Sequence, residues 1–189
     1  QHTQKPVFLK ISPDMHTDDM LEVIESAIKH GCSGIIATNT SIDYSLLQGA
    51  KDQGGISGEA LKQRSREVFA SIAKEFFGKT LLISAGGIDN ANEAYDRIKM
   101  GASLVQIYTG LIYQGPSLPK RINEGIIENL EADGFHHISE AIGANHTKKS
   151  KHNDEVKVAQ ASESQATQSP KTKRPKITTK RTKANEADT

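Results

Sequence analysis

The chain has 189 residues, a formal net charge of +1 and a single cysteine, Cys32, which excludes an internal disulfide. Apolar residues make up 35% of the sequence, less than is usual for a globular chain, and the deficit is concentrated after residue 146. No apolar run is long enough for a membrane-spanning helix, and the first six residues do not resemble a signal peptide. The composition predicts a globular part over residues 1–146, with Cys32 as a buried and inert thiol, and a polar tail over residues 147–189.

The globular part alternates between short apolar runs and amphipathic segments. The apolar runs predict strands over residues 7–11 and 33–38 and short buried strands over residues 81–85 and 103–108. Apolar residues at helical spacing predict helices that begin near Thr17, Glu59, Asn90 and Leu118, each ended by a glycine. Thr17 is predicted to cap the first helix, and Asn90 with Glu93 forms a relative of the capping box. This order of four β-α units predicts a parallel sheet that is covered by helices.

The number of units and the position of the glycines distinguish between two folds. Four units make half of a (β/α)8 barrel, whose complete form needs about 250 residues. The alternative is an open flavodoxin-like sheet, which normally has five strands and a phosphate loop after the first. Here the glycine and hydroxyl residues follow the last two strands, as they do after strands seven and eight of many barrels. The half-barrel is therefore the favoured fold.

Polar groups accompany the first two predicted strands, at the end where barrel active sites form. Lys10 lies between apolar neighbours, and a buried ammonium needs an anionic partner; a strand-edge lysine that reaches solvent is the alternative. Thr38-Asn39-Thr40 ends the second strand and offers hydroxyl and amide groups. These groups are able to hold a phosphate, the edge of a cofactor ring or a substrate carboxylate, and ordinary turn chemistry is the alternative.

Glycines mark the loops that follow the second and third strands. The loop of residues 39–58 is long enough to indicate a functional role, and it ends at Gly58, just before a helix. Gly86-Gly87 follows the third strand, and Tyr108-Thr109 ends the fourth. Glycine lets the backbone come close to a phosphate, and a following helix N-terminus adds partial positive charge. On adjacent strands, the two motifs together predict a phosphate site.

Motifs of defined order and spacing run through the globular part. They are Phe8-Leu-Lys-Ile-Ser-Pro-Asp14, Ala37-Thr-Asn-Thr40, Gly54-Gly-Ile-Ser-Gly58, Gly86-Gly-Ile88, Gly101-Ala-Ser-Leu-Val-Gln-Ile-Tyr-Thr109 and Ala141-Ile-Gly-Ala-Asn-His146. In this order the chain resembles the class 2, quinone-dependent dihydroorotate dehydrogenases over about residues 6–146. The resemblance implies the C-terminal half of a (β/α)8 barrel that holds FMN. It also implies the oxidation of dihydroorotate to orotate in pyrimidine (UMP) biosynthesis, with a membrane quinone as electron acceptor.

Residue by residue, the resemblance implies roles at the flavin and at the substrate. Lys10 would lie against the flavin ring, where its charge would stabilise negative charge on the reduced ring, and Thr38 would contact FMN. Asn39 and Thr40 would hydrogen-bond the pyrimidine of dihydroorotate. The remaining FMN-binding residues would be Gly58, Gly87, Tyr108 and Thr109, the last three around the phosphate. The resemblance also implies a peripheral protein on the cytoplasmic side of the bacterial inner membrane.

One part of the family pattern is missing from this sequence. The family's catalytic base is a serine of the N-terminal half, so no catalytic residue is assigned here, and no metal ligand is expected. The parent protein is expected to be active and this chain alone inactive. Two alternatives remain open: a non-catalytic half-barrel fragment that binds a phosphate or a partner, and a different phosphate-binding barrel enzyme. The Ala37-Thr-Asn-Thr40 and Ile107-Tyr-Thr109 motifs argue against the second.

The tail is rich in lysine and arginine, with Ser, Thr, Gln, Ala and Pro between them. It has too few apolar residues to compensate the entropy of ordering, so residues 147–189 are predicted to be disordered. A solvated tail is the simplest interpretation, and contact with anionic lipid would suit a peripheral membrane enzyme. Specific nucleic-acid binding is not expected, because no aromatic residues alternate with the charges.

Overall fold

Helices and strands alternate along the part of the chain that the computed structural model describes, residues 5–51 and 53–146. The elements are β1 (Phe8–Ile11), α1 (Thr17–Lys29), β2 (Gly34–Ala37), α2 (Glu59–Phe76), β3 (Leu81–Ala85), α3 (Ala91–Lys99), β4 (Leu104–Gln106), α4 (Thr109–Gln114), α5 (Leu118–Ala132) and α6 (Ile138–Ala141). A short 3-10 helix, Tyr44–Leu46, lies between β2 and α2. The predicted tail, residues 147–189, lies outside the described residues.

The four strands form one parallel sheet in the order β1-β2-β3-β4. Ala37 of β2 stands between Ile11 of β1 and Ser84 of β3, and Ala85 of β3 pairs with Gln106 of β4. In a flavodoxin-like sheet the second strand would lie outside the first. Strands that follow one another in both sequence and space are those of a (β/α)8 barrel. The predicted half-barrel is confirmed.

Apolar side chains pack the helices against this sheet in three groups, the third of which contains Tyr95, Ile98, Leu130 and Ala141. The largest group joins α1 and α2 to the first three strands, with Ile24, Phe69 and Ile72 fully buried. The second group joins α3 to α5 and includes Ala94 and Leu118. Burying side chains of this size stabilises the fold by about 1.5–3 kcal/mol each. No helix within the described residues is long and apolar enough to cross a membrane.

Three local predictions are wrong. Thr17 is the first residue of α1 rather than its cap: His16 takes the N-cap position and makes no side-chain capping bond. Cys32 is partly exposed rather than buried, and its thiol donates to the carbonyl of Val7 at 3.2 Å. The fourth strand is not buried, because β4 lies at the edge of the described sheet; its Leu104 side chain is 59% exposed. The predicted cap of α3 is confirmed, since Asn90 Oδ1 accepts from the backbone N–H of Glu93 at 2.9 Å.

A buried tyrosine links α3 to the end of α5. The Tyr95 side chain is 3% exposed, and its hydroxyl donates to Asp133 Oδ2 at 3.1 Å. Burial disfavours the phenolate, and the nearby Asp133 carboxylate adds to the effect; together they raise the pKa of Tyr95 to about 12 from the usual 10.0. The folded protein therefore keeps this proton at a pH at which the unfolded chain loses it.

We expect this tyrosine to make the fold sensitive to alkali. Between about pH 10 and pH 12 the unfolded chain binds fewer protons at Tyr95 than the folded chain, so the free energy of unfolding falls as the pH rises. Urea unfolding at several pH values across this window measures the slope. Tyr95→Phe should make the slope shallower, whereas Tyr113→Phe, at an 84% exposed ring, should leave it unchanged. Equal slopes in all three proteins would contradict the assignment.

Candidate functional site

A cleft with a volume of about 1140 Å³ lies at the carboxyl ends of the strands. This volume is slightly above the range of about 300–1,000 Å³ that is usual for cofactor pockets. It is bounded by β1, by the segments that follow β2, β3 and β4, and by the residues that lead into α2. The structure brings together here every residue that the sequence predicts for the site. They are Lys10, Thr38, Asn39, Thr40, Gly58, Gly87, Tyr108 and Thr109.

Backbone hydrogen bonds continue the sheet just beyond β2 and so fix the first polar motif. The N–H of Thr38 donates to the carbonyl of Ala85 at 2.8 Å, and the N–H of Asn39 donates to that of Ile11 at 2.7 Å. The peptide bond between Ala37 and Thr38 is cis. Thr38 is buried, and its hydroxyl donates to the carbonyl of Asn39 at 2.9 Å, whereas the side chains of Asn39 and Thr40 are exposed. The latter two are thus free to meet a ligand.

Lys10 differs from its prediction. Its side chain is exposed rather than buried, because β1 pairs only with β2 among the described residues and so forms an edge of the sheet. This exposure agrees with the alternative of a strand-edge lysine that reaches solvent, and the role of Lys10 at a flavin stays a prediction. Lys10 still lines the cleft, and it is the single cationic side chain among the described residues that do so.

The long loop before α2 is closed at its base by two hydrogen-bonded contacts. Ser41 and Ile56 form an isolated antiparallel bridge, with N···O distances of 3.0 and 2.7 Å. The carboxylate of Asp14 accepts from the Ser41 hydroxyl at 2.6 Å and from the N–H of Ile42 at 2.8 Å. Ser41 is fully buried. These contacts hold the two ends of the loop together beside the cleft.

Two glycines of the cleft occupy places that no other residue fits. Gly58 and Gly87 both have φ of +70°, which L side chains rarely adopt. A Cβ on Gly58 would lie 2.7 Å from Cγ2 of Thr109, and a Cβ on Gly87 would overlap the backbone of Lys62. The Thr109 hydroxyl donates to Ser57 Oγ at 2.9 Å, which ties the two sides of the cleft together. The two glycines are therefore required by their close packing against α2 and against Thr109.

Several backbone N–H groups at this end of the cleft have no acceptor among the described residues. Among residues 5–51 and 53–146, no acceptor meets the N–H groups of Gly87, Tyr108, Thr109 or Gly110. Groups of such donors form concavities that bind anions. The same part of the chain has no group of three or more His, Cys, Asp or Glu side chains placed to hold a metal ion. The arrangement fits an anion such as a phosphate.

A lysine near this end is already committed to two carboxylates. Lys62 Nζ lies 3.0 Å from Asp89 Oδ2 and also forms an ion pair with Glu59. Partial burial lowers the pKa of Lys62, but the hydrogen bonds and charges of the two carboxylates outweigh burial and raise it. Because its charge is balanced in this way, an anion at this end would be held mainly by backbone N–H groups.

Beneath the Gly86-Gly87 turn lies Arg97, a residue that the sequence pattern does not single out. Its side chain is fully buried, and Nε donates to Glu93 Oε1 at 2.6 Å. Burial lowers the pKa of Arg97, and the Glu93 carboxylate opposes that shift. The only signal in the sequence is the spacing of four residues between Glu93 and Arg97, which is equally typical of an exposed helix pair.

Comparison with known proteins places the chain in one family. Residues 1–130 match the family described as dihydroorotate dehydrogenase. A dihydroorotate dehydrogenase (quinone) from a Nitratiruptor species is 61% identical over 141 residues, which are 75% of this chain and 40% of that protein. A protein of the same name from a Sulfurovum species is 60% identical over 142 residues, with the same two coverages.

Solved structures agree with these relatives. A crystal structure of DHODH in complex with ferulenol from Eimeria tenella superposes with a TM-score of 0.68 at 33% identity, over 74% of this chain and 38% of that chain. The ligand-free form from the same organism gives 0.68 at 35% identity, over 74% and 40%. The chain thus spans about 40% of the length of the relatives that it matches. It belongs to the dihydroorotate dehydrogenase family.

Proposed function

We propose that this chain provides the C-terminal half of an FMN site at which dihydroorotate is oxidised to orotate, with a quinone as electron acceptor. The observation that carries the proposal is the single cleft at the strand ends, lined by all eight residues that the family resemblance implies. In this proposal residues 1–146 form the half-barrel, residues 147–189 form a separate tail, and the reaction belongs to pyrimidine biosynthesis.

The residues of the cleft fit FMN at its phosphate end. The unpaired N–H groups of Gly87, Tyr108 and Thr109 would donate to the phosphate, and the close packing that Gly58 and Gly87 allow against Thr109 and Lys62 fixes the backbone that carries these donors. When bound, FMN would supply the redox chemistry, while the protein binds, orients and polarises. Lys10, the cation of the cleft, would stabilise negative charge near its ammonium group.

The exposed polar groups after β2 suit the substrate. The amide of Asn39 can donate and accept, and the hydroxyl of Thr40 can do the same, which matches the alternating N–H and C=O groups of a pyrimidine ring. Both residues follow the hydrogen bond between the Asn39 N–H and the carbonyl of Ile11, so the sheet sets their position. No side chain of the described residues is assigned as the catalytic base.

The names of the relatives support a quinone as the electron acceptor, and the location is proposed from that acceptor. Both of the bacterial relatives compared above are named for quinone. We therefore propose a membrane quinone for this protein too, and a peripheral position at the cytoplasmic side of the inner membrane. Contact of the lysine-rich tail with anionic lipid is part of the same proposal and rests on its composition alone.

The first test compares FMN with riboflavin, which lacks the phosphate. We expect the 189-residue chain to bind FMN at least about tenfold more tightly, because the phosphate adds charge-assisted hydrogen bonds, and to form no orotate on its own. Quenching of flavin fluorescence measures the two affinities, and orotate absorbance measures turnover. Thr109→Val removes the hydroxyl bond to Ser57 that holds this segment in place, and it should reduce the preference for FMN, whereas Thr80→Val, away from the cleft, should not.

The outcomes separate the proposal from its alternatives. Equal affinity for FMN and riboflavin would contradict the phosphate site, and rapid orotate formation by the chain alone would contradict its inactivity. Co-expression with the N-terminal part of the Nitratiruptor relative should restore turnover. FMN binding without turnover in that mixture would favour the alternative of a non-catalytic half-barrel.

A further inference from the structure

The buried guanidinium of Arg97 joins α3 to β3, to α2 and to the turn that lines the cleft. Its side chain has no exposed surface. It donates to Glu93 Oε1 at 2.6 Å, Ser84 Oγ at 3.1 Å, Ser65 Oγ at 3.0 Å, the Lys62 carbonyl at 3.2 Å and the Gly86 carbonyl at 3.4 Å. Nη2 meets three of these acceptors with two N–H groups, so one hydrogen is shared, and only the planar fork of a guanidinium spans all five acceptors.

The bond to Gly86 has a consequence on the other side of the same peptide unit. The Gly86 carbonyl also lies 2.7 Å from Ser65 Oγ, whose single O–H is shared with the Lys62 carbonyl at 2.9 Å, so Ser65 and Arg97 both hold the Gly86 carbonyl toward the helices. The Gly86–Gly87 peptide bond is trans, and in a trans peptide the C=O and N–H groups point in opposite directions. The N–H of Gly87 therefore points away from Arg97 and Ser65. Gly87 lines the cleft, and neither of those two residues does.

This orientation matters because the cleft has little other positive charge. Lys10 is the one cation among the described residues that line it, and Lys62 is paired with Glu59 and Asp89. An anion at the Gly87 end must therefore be held by backbone N–H groups. A backbone donor contributes only while its peptide plane is held in the correct orientation.

We propose that Arg97 is a positioning residue that turns the Gly86-Gly87 peptide so that the Gly87 N–H faces the cofactor phosphate. The inference deepens the proposed function and rests on its phosphate site. Arg97 acts from behind the loop, through Ser65 and the Gly86 carbonyl, and does not touch the cofactor. Its own charge is balanced by Glu93.

The test replaces Arg97 by lysine, which keeps the charge and can still pair with Glu93 but lacks the fork. We expect Arg97→Lys to lower the ratio of FMN affinity to riboflavin affinity about tenfold in the full chain, while riboflavin binding changes little. The matched control is Arg66→Lys. Arg66 bonds to Glu93 and Asp96 in the same network but makes no contact with Gly86. General loosening of the helices would affect both variants and both flavins alike.

A second variant tests the inference independently of Arg97→Lys. Ser65→Ala removes the shorter of the two bonds to the Gly86 carbonyl and should also lower the ratio of FMN affinity to riboflavin affinity. This variant takes the place of Arg97→Lys if Arg97→Lys does not fold. An unchanged ratio in the folded variants overturns the inference.

A flavin-free measurement separates this inference from the proposed function. If the unmodified chain does not distinguish FMN from riboflavin, the phosphate site itself fails. The NMR shift and hydrogen exchange of the Gly87 amide, without flavin, then decide about Arg97. A change in Arg97→Lys and not in Arg66→Lys supports the positioning of the turn, and no change in either overturns it.

Discussion

Replacing Arg97 by methionine is expected to lower the free energy of unfolding by about 3–5 kcal/mol. The substitution is costly because the polar groups that bond to Arg97 stay buried without it. Glu93 loses the closer of its two arginine partners, and the hydroxyl of Ser84 and the carbonyls of Lys62 and Gly86 lose a donor in the interior. Urea unfolding followed by circular dichroism measures the change.

The control for this substitution is Arg66→Met. Arg66 also bridges α2 to α3, but its side chain is 32% exposed, and such pairs contribute at most about 1 kcal/mol. The double variant Arg97→Met with Glu93→Gln should recover part of the lost free energy of unfolding, because it no longer leaves a buried carboxylate beside the apolar methionine. If Arg97→Met cost no more than Arg66→Met, the buried network would not stabilise the fold as proposed.

Replacing Gly87 by alanine is expected to affect both stability and ligand binding. The φ of +70° costs an L residue about 1–2 kcal/mol, and overlap of the new methyl group with the Lys62 backbone adds about 1–3 kcal/mol. Any relief of this overlap moves the Gly87 N–H. We expect the affinity for FMN to fall by roughly 10- to 100-fold and that for riboflavin to fall much less.

Gly78→Ala provides the matched control for this second substitution. Gly78 has a φ of +78° and is exposed, with no heavy atom within 4 Å of a built Cβ. It should therefore show the conformational cost alone and leave flavin binding unchanged. Equal losses of FMN affinity in the two glycine variants would mean that the contact with Lys62 is irrelevant to the site.

The sequence predicts the strand order and the cleft because both depend on local signals. Short apolar runs and the glycines after them are visible along the chain, and a parallel sheet brings all carboxyl ends to one edge. Thr38, Gly87 and Thr109 therefore meet in space although they are far apart in sequence. The roles of these residues at FMN and dihydroorotate come from the family resemblance and stay predictions.

The misses concern features that only the assembled sheet decides. The exposure of Lys10 and Leu104 follows from the position of β1 and β4 at the edges of the described sheet, and an apolar run looks the same at an edge as in the centre. The short helix α4, which starts at Thr109, is too brief for a periodic pattern. Arg97 and Glu93 have the spacing of a solvent-exposed pair, so nothing local reveals their burial.

The closed base of the loop between β2 and α2 separates two kinds of sequence change. Ser41 and Ile56 form a hydrogen-bonded bridge, and Asp14 anchors it to the segment after β1. The segment of the loop between Ser41 and Ile56 can change in length at low cost, since doubling the length of a loop costs only about 0.6 kcal/mol in closure entropy. Thr40 and Ser57 lie just outside it and keep their places. The length of this segment can therefore change in evolution while the cleft residues beside the bridge keep their positions.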